Sequence, residues 1–375
     1  MTDKYKIHLS RPDISEKDIQ AVVNVLKTPN LALGPKIPEF ERKIADYIGR
    51  KYAVSVNSGT SALFLCMKAL GIGKDDEVIT TPFTFIASTN CILMVDAKPA
   101  FVDIDPENLN IDPKKIEAKI TKKTKAILPV DVFGNPAGMD EVCKIAKKHN
   151  LPVIEDSCEA IGSELNGKKA GTFGIVGTFA FYPNKQMTTG EGGMIVTDDK
   201  NIADMCVSLR NQGRGAGGGW LAHARLGYNF RLCDINCALG ISQLERIEEF
   251  IQKRQKVAGW YQEILADDNR IIVPKAPKGC RVSWFVFVIR LKEPDNAKRD
   301  AILKAMQEEG IQVSNYFPSV TLQPFMVEKF GYKDGDFPIT DETCKNTVAL
   351  PFYNNLQKDE AVIICKTLKK CIDKA

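Results

Sequence analysis

Between about residue 40 and residue 200, short apolar runs alternate with amphipathic stretches along the chain. The apolar runs YAVSV (52–56), EVITTPF (77–83), KPAFVDI (98–104), KAILPVDV (125–132), PVIED (152–156), GTFAFY (177–182) and GMIVTD (193–198) predict strands. Between them, TSALFLCMKAL (60–70), MDEVCKIAKKHN (139–150) and NIADMCVSLRNQ (201–212) carry the apolar spacing of helices. Strand and helix in that rhythm predict an α/β protein whose sheet is mostly parallel and covered on both faces. Ligands of such sheets collect at the carboxyl ends of the strands.

After Gly240 the pattern changes. ISQLERIEEFIQKRQKVAGWYQEIL (241–265) reads as one long helix with a charged face and an apolar face, and it predicts a link between two units. A smaller α+β region follows, with a strand over 283–291, a helix over 299–310, a Pro- and Phe-rich loop over 315–325 and a closing helix over 359–372. A chain of 375 residues is too long for one small core. The expected division is a large domain over 1–250, which includes the N-terminal segment, and a small C-terminal domain over 251–375.

Composition narrows the classes of function. Lys and Arg number 51 against 47 Asp and Glu, and the two signs are interspersed, so no groove for nucleic acid is indicated. No apolar run approaches the roughly 20 residues that span a bilayer, and MTDKYKIHLSRP has no apolar signal core. Eleven cysteines fall at irregular spacing with no CxxC pair, and only three histidines accompany them, which argues against zinc and for reduced thiols. The expectation is a cytoplasmic protein with no membrane, nucleic-acid or metal partner.

Four features carry candidate chemistry. The strand VSV runs into Asn57-Ser58-Gly59-Thr60-Ser61 and then into an apolar helix. First-turn amides and hydroxyls there can cup a phosphate, although Ser and Thr also cap helices that bind nothing. Phe85 lies near a strand end, and Asp156 closes the run PVIED, where a carboxylate can face a ligand or simply form a turn. Lys185 sits in Tyr-Pro-Asn-Lys-Gln, followed by Gly190, Gly192 and Gly193. Loop lysines are usually exposed and idle. A phosphate cup, an aromatic ring, a strand-end aspartate and a Gly-flanked lysine, in that order, are what pyridoxal 5′-phosphate chemistry needs. The amine forms a Schiff base with the cofactor aldehyde, and the carboxylate keeps the pyridine nitrogen protonated.

The chain resembles the DegT/DnrJ/EryC1/StrS sugar aminotransferases over nearly its whole length, in NSGTSAL, PFTFIAS, VFGNPAGMDEV, EDSCEAIG, FYPNKQMTTGEGG, LGYNFRLCDINCALG and LPFYNNL. The resemblance implies a fold-type-I PLP-dependent transferase, aspartate-aminotransferase-like, with a large mixed, mostly parallel sheet domain and a smaller α+β C-terminal domain. It implies Lys185 as the cofactor-bound lysine and proton carrier, Asp156 at the pyridine nitrogen, Phe85 on the ring face and Gly59, Thr60 and Ser61 at the phosphate. Asn229 would reach the phosphate of the neighbouring subunit, so the active unit would be a homodimer. L-glutamate would give its amine to the cofactor, and a keto sugar on a nucleotide would collect it in a ping-pong reaction.

Three positions depart from the family pattern. Glu159 stands where Gln or His more often approaches the phenolic oxygen, Ala180 replaces a common serine, and Thr321 replaces a histidine of the substrate loop. A carboxylate at Glu159 must be protonated, turned away or charge-compensated. Arg231 is a candidate for the donor carboxylate or for bracing its loop. Trp220 and Tyr316 are candidate substrate contacts. The competing readings are a sugar dehydratase of the same fold, which typically lacks the lysine, and a non-catalytic sugar-nucleotide-binding regulator.

Overall fold

The computed structural model describes residues 4–215 and 221–375. Its large sheet is built from β1 (Tyr52–Val56), β2 (Glu77–Thr80), β3 (Lys98–Phe101), β4 (Thr124–Ile127) and β5 (Ile154–Asp156). A two-residue hairpin, β6 (Glu164–Leu165) and β7 (Lys168–Lys169), stands apart from it, and β8 (Val176–Ala180) and β9 (Gly193–Thr197) complete it. Strand β2 lies parallel between β3 and β4. Parallel bridges Ile127–Val153 and Val130–Asp156 carry the sheet on to β5, which pairs in parallel with β8. Strand β9 runs against both β8 and β1. The order is therefore β3-β2-β4-β5-β8-β9-β1, a mixed sheet with β9 reversed.

The strands are apolar on both faces because both faces are covered. All five residues of β9 and the first four of β8 are buried. The helix against them is equally apolar. Helices α1 (Glu16–Leu26), α2 (Lys36–Ile48), α3 (Gly59–Ala69) and α4 (Ala87–Leu93) belong to this half. In α3, Gly59 and Ser61 through Met67 are all buried, the mark of a helix in the centre of a domain rather than on its surface.

The single linking helix expected over 241–265 is two helices, Asp234–Leu244 and Ile247–Leu265, parted at Glu245 and Arg246. Arg246 has φ −108° and ψ 5°, and its guanidinium turns to Asp13 at 3.0 Å and Asp18 at 3.2 Å. The apolar period runs through the break, so the pattern does not reveal it; the tertiary ion pairs sit where it occurs. The second helix serves two cores. Ile247, Phe250 and Ile251 pack with β8 and β9 residues, whereas Val257, Ala258, Tyr261 and Leu265 join the C-terminal core.

That second core surrounds a three-stranded antiparallel sheet in which Phe287–Leu291 lies between Ile271–Ile272 and Thr347–Leu350. The strand expected from 283 starts only at Phe287, because Trp284 adopts φ +53° and leaves the extended region. The N-terminal segment also lies here. The amides of Lys6 and Ile7 donate to Gly310, Gln312 donates to the carbonyl of Ile7, and Phe352 donates to that of Leu9.

Strand β9 begins at Gly193, directly beneath the start of α3. A Cβ at Gly193 would stand 2.4 Å from the Ser58 carbonyl oxygen and 2.8 Å from the Gly59 nitrogen, both backbone atoms with no room to move. Gly193→Ala is expected to destabilise the protein by about 1–3 kcal/mol through overpacking. Gly259→Ala, where a Cβ meets nothing within 4 Å on an exposed helix position, should instead stabilise by about 0.5–1 kcal/mol. Thermal midpoints of the two variants moving in opposite directions are the check.

Candidate active site

The ends of β1, β5 and β8 converge on a cavity of about 460 Å³. Ser58, Gly59 and Thr60 follow β1, Asp156 closes β5, Ala180 closes β8, and Lys185 lies on the turn beyond it; all six line the cavity. Ser58 is the N-cap of α3, with extended backbone, and its Oγ accepts the Ser61 amide at 3.1 Å. Ser61 donates its own hydroxyl to Asn57 Oδ1 at 2.7 Å. Ser61 is thus bound into its own turn and stands outside the cavity wall, while Gly59 and Thr60 face the space. A Cβ at Gly59 would lie 2.8 Å from the Ala180 Cβ and 2.9 Å from Cys158 Sγ, so only glycine lets the helix start this close.

Asp156 is 4% exposed. Ser88 on α4 donates to its Oδ2 at 2.7 Å, and the Cys158 amide donates to Oδ1 at 3.2 Å. Ser88 is a site residue that sequence reasoning missed. Its signal lay in PFTFIAS, three positions after Phe85 and on the same face as the aspartate. Lys185 closes a turn that starts at Tyr182, its amide donating to the Tyr182 carbonyl. Its Nζ stands 3.3 Å from Glu159 Oε1 and 3.7 Å from the ring centre of Phe285, which arrives from the C-terminal unit. Glu159 Oε2 accepts the Phe133 amide at 2.9 Å, an amide aimed there by the left-handed backbone of Phe133, φ +58°. Burial raises the pKa of Glu159, while the Lys185 cation and the Phe133 amide pull it back. While the Lys185 amine is free, the carboxylate at 159 thus faces that amine on one oxygen and a backbone amide on the other.

Phe85 lines the cavity and is 59% exposed, and Tyr316 and Phe317 form the opposite wall as a stacked pair. Asn184, also missed in the sequence, lines the cavity beside Tyr316. Asn229, Arg231 and Thr321 lie outside the cavity wall. The backbone of Asn229 bridges Asn211, and Arg231 donates to Asn211 Oδ1 at 3.0 Å, bracing that loop and standing outside the cavity wall of its own chain. Trp220 lies outside the described residues. Thr321 is fully buried, with its hydroxyl on Ser319.

Comparison with known proteins gives this arrangement its context. Residues 12–369 match the DegT/DnrJ/EryC1/StrS aminotransferase family. The chain belongs to that family. It is 39% identical to the GDP-perosamine synthase of Caulobacter vibrioides over 86% of this chain and 88% of that one. It is 34% identical to a UDP-4-amino-4,6-dideoxy-N-acetyl-beta-L-altrosamine transaminase of Campylobacter jejuni, over 98% of each. Among solved structures, Spr1654 of Streptococcus pneumoniae in its PLP form superposes with a TM-score of 0.93 at 27% identity, covering 99% of both chains.

The aminotransferase has the fold-type-I architecture, and its cofactor is pyridoxal 5′-phosphate. The residues suit that group. A buried carboxylate held by a serine closes a strand, an amine stands across the cavity, and the first turn of α3 opens onto it through a glycine that no other residue could replace. The wall at Ala180 is apolar, so a phosphate there would rest on amides and the Thr60 hydroxyl. No helix among the described residues is long and apolar enough to cross a membrane.

Behind the cavity lies a pair of buried acids. Glu155 accepts amides from Gly171, Phe173 and Gly174, at 2.5, 2.7 and 3.1 Å, which offset part of the upward push that burial gives its pKa. Asp131 has only the Ser157 hydroxyl, at 2.7 Å, and its other oxygen is buried without a partner among the described residues. Burial and the neighbouring Glu155 push the Asp131 pKa far upward. Asp131 therefore keeps its proton when folded and loses it when unfolded, so its contribution to stability declines as pH rises above about 4. Asp131→Asn, neutral at every pH, should remove that decline. The expected result is a thermal midpoint that gains on the native protein as pH rises above about 4, until the raised folded pKa of Asp131 is passed.

Proposed function

We propose that this aminotransferase moves an amino group from an amino acid, L-glutamate, to the carbonyl carbon of a keto sugar carried on a nucleotide, in two successive half-reactions. The observation that carries the reading is the convergence of Lys185, Asp156 and the open first turn of α3 on one cavity. GDP- and UDP-sugar relatives at 39% and 34% identity support the acceptor class. Bound there, pyridoxal phosphate supplies a carbonyl for the amine and a ring that accepts electrons.

In this reading each side chain has one task. Asp156, fixed by Ser88, holds its negative charge against the pyridine nitrogen. Gly59 and Thr60 present the positive end of the α3 dipole to the phosphate, and Ser61 locks that turn from behind. Phe85 covers a ring face. Lys185 anchors the cofactor and, once displaced by the incoming amine, carries the proton to and from the substrate α-carbon. Glu159 keeps the displaced amine close and oriented. Tyr316 and Asn184 offer polar groups to the substrate from the wall away from Asp156.

The active unit proposed is a homodimer. Phe85 and Tyr182 line the cavity yet are more than half exposed, and Leu221 and Leu226 are 79% and 81% exposed on the loop that carries Asn229. Apolar side chains at the mouth of a site call for a cover, and a second copy would supply it and bring Asn229 to the neighbour's phosphate. Lys185 favours amine transfer over dehydration, and a complete amine, carboxylate and phosphate turn favours an enzyme over a sensor.

The test is the absorbance spectrum of the purified protein with pyridoxal phosphate. A visible band is expected that Lys185→Ala abolishes and that L-glutamate converts to the pyridoxamine form. Adding GDP- and UDP-linked keto sugars should restore the band and yield the amino sugar. A band that no amino acid alters would defeat the aminotransferase reading.

A further inference from the structure

We infer that Arg254 is a positioning residue for the reactive amine, a clamp that fixes Lys185 and the aromatic ring over it in a single register. The inference rests on the role proposed for Lys185. Arg254 lies within the helix Ile247–Leu265 and is 2% exposed. Its Nη1 donates to the carbonyl oxygens of Trp284 and Phe285, each at 3.0 Å, and its Nη2 donates to the carbonyl oxygen of Lys185 at 3.1 Å. Among the described residues no carboxylate forms an ion pair with it, and its Nε is buried with no acceptor. Burial pulls its pKa down to about 9.

A guanidinium buried without a carboxylate is a poor way to fill space, since an apolar side chain of similar size avoids the desolvation. What an apolar side chain cannot do is hold three carbonyl oxygens from two distant segments with one planar group. One segment is the turn that carries Lys185. The other carries Phe285, whose ring centre lies 3.7 Å from the Lys185 Nζ. The left-handed backbone of Trp284, φ +53°, accompanies two successive carbonyls converging on one nitrogen. Arg254 thus grips the backbone of the lysine and the backbone of the ring that covers it. Glu159, 3.3 Å from the same amine, is a further neighbour of it, independent of Arg254. A lysine at 254 would keep a charge but lose the planar fork.

The experiment uses the pyridoxal phosphate-loaded enzyme and the variants Arg254→Met, Arg254→Lys and Phe285→Leu. For each, the ratio of visible circular dichroism to absorbance of the bound cofactor reports how it is held, beside kcat, KM for the amino donor and the thermal midpoint. The expected result is a reduced ratio in all three variants. In both Arg254 variants kcat should fall roughly tenfold to a hundredfold while KM shifts less than about threefold, because placement of a reacting atom is what is lost. A lowered thermal midpoint with a native ratio and native kcat would make Arg254 a purely structural residue and overturn the clamp. Full recovery by Arg254→Lys would overturn it too, by showing that charge alone suffices. If Arg254→Met does not fold, an unchanged ratio in Arg254→Lys and Phe285→Leu overturns it. Absence of any cofactor band in the native protein would instead defeat the role of Lys185, an outcome the ratio cannot mimic.

Discussion

Four carboxyl groups crowd one cavity, Asp156 and Glu159 in its wall and Asp131 and Glu155 behind it, all less than a tenth exposed. Like charges out of water raise one another's cost, and the surrounding architecture reads as four separate answers to that constraint. Glu155 draws in the backbone of the turn at 171–174, Asp156 takes a serine from α4, burial and Glu155 push the Asp131 pKa upward so that its neutral form is favoured, and Glu159 takes the lysine and the Phe133 amide. The left-handed backbone at Phe133, the placement of α4 and the seat of Lys185 each follow from the acid they serve.

Two departures from the family pattern have local physical settings, one steric and one electrostatic. Ala180 faces Gly59 where the start of α3 comes within a side chain's width of β8, so both positions favour the smallest residues and any phosphate there must rest on the helix turn. Glu159 meets the Phe133 amide on one oxygen and, while the Lys185 amine is free, that amine on the other.

Much of this was legible in the sequence. The seven strands of the large sheet and the helices at 59–69 and 139–148 announce themselves by period and by β-branched runs, because burial on two faces leaves a continuous apolar signal. Lys185, Asp156, Gly59 and Thr60 were also readable, since each sits at a strand end with a distinctive flank. What escaped was set by contacts far apart in the chain. The break at Arg246 depends on Asp13 and Asp18, the support of Asp156 depends on Ser88, and Ser61 is claimed by a neighbour four residues back. Arg254 looked like one more charge on a helix. Local pattern shows which residues want burial but not which carbonyl a buried donor will find.

The N-terminal segment has a consequence for how the chain is made. Residues 6–9 find their hydrogen-bond partners at Gly310, Gln312 and Phe352, and Ile7 is buried in a core whose other members begin at Val257. A ribosome delivers chain from the N-terminus, at about 5–20 residues per second. Residues 6–9 therefore have none of these partners until the chain at 310–352 has emerged, while the sheet of the large half is already complete in sequence. Through that interval Ile7 lacks the core that buries it, and the later segment is the one that lets the earlier one come to rest.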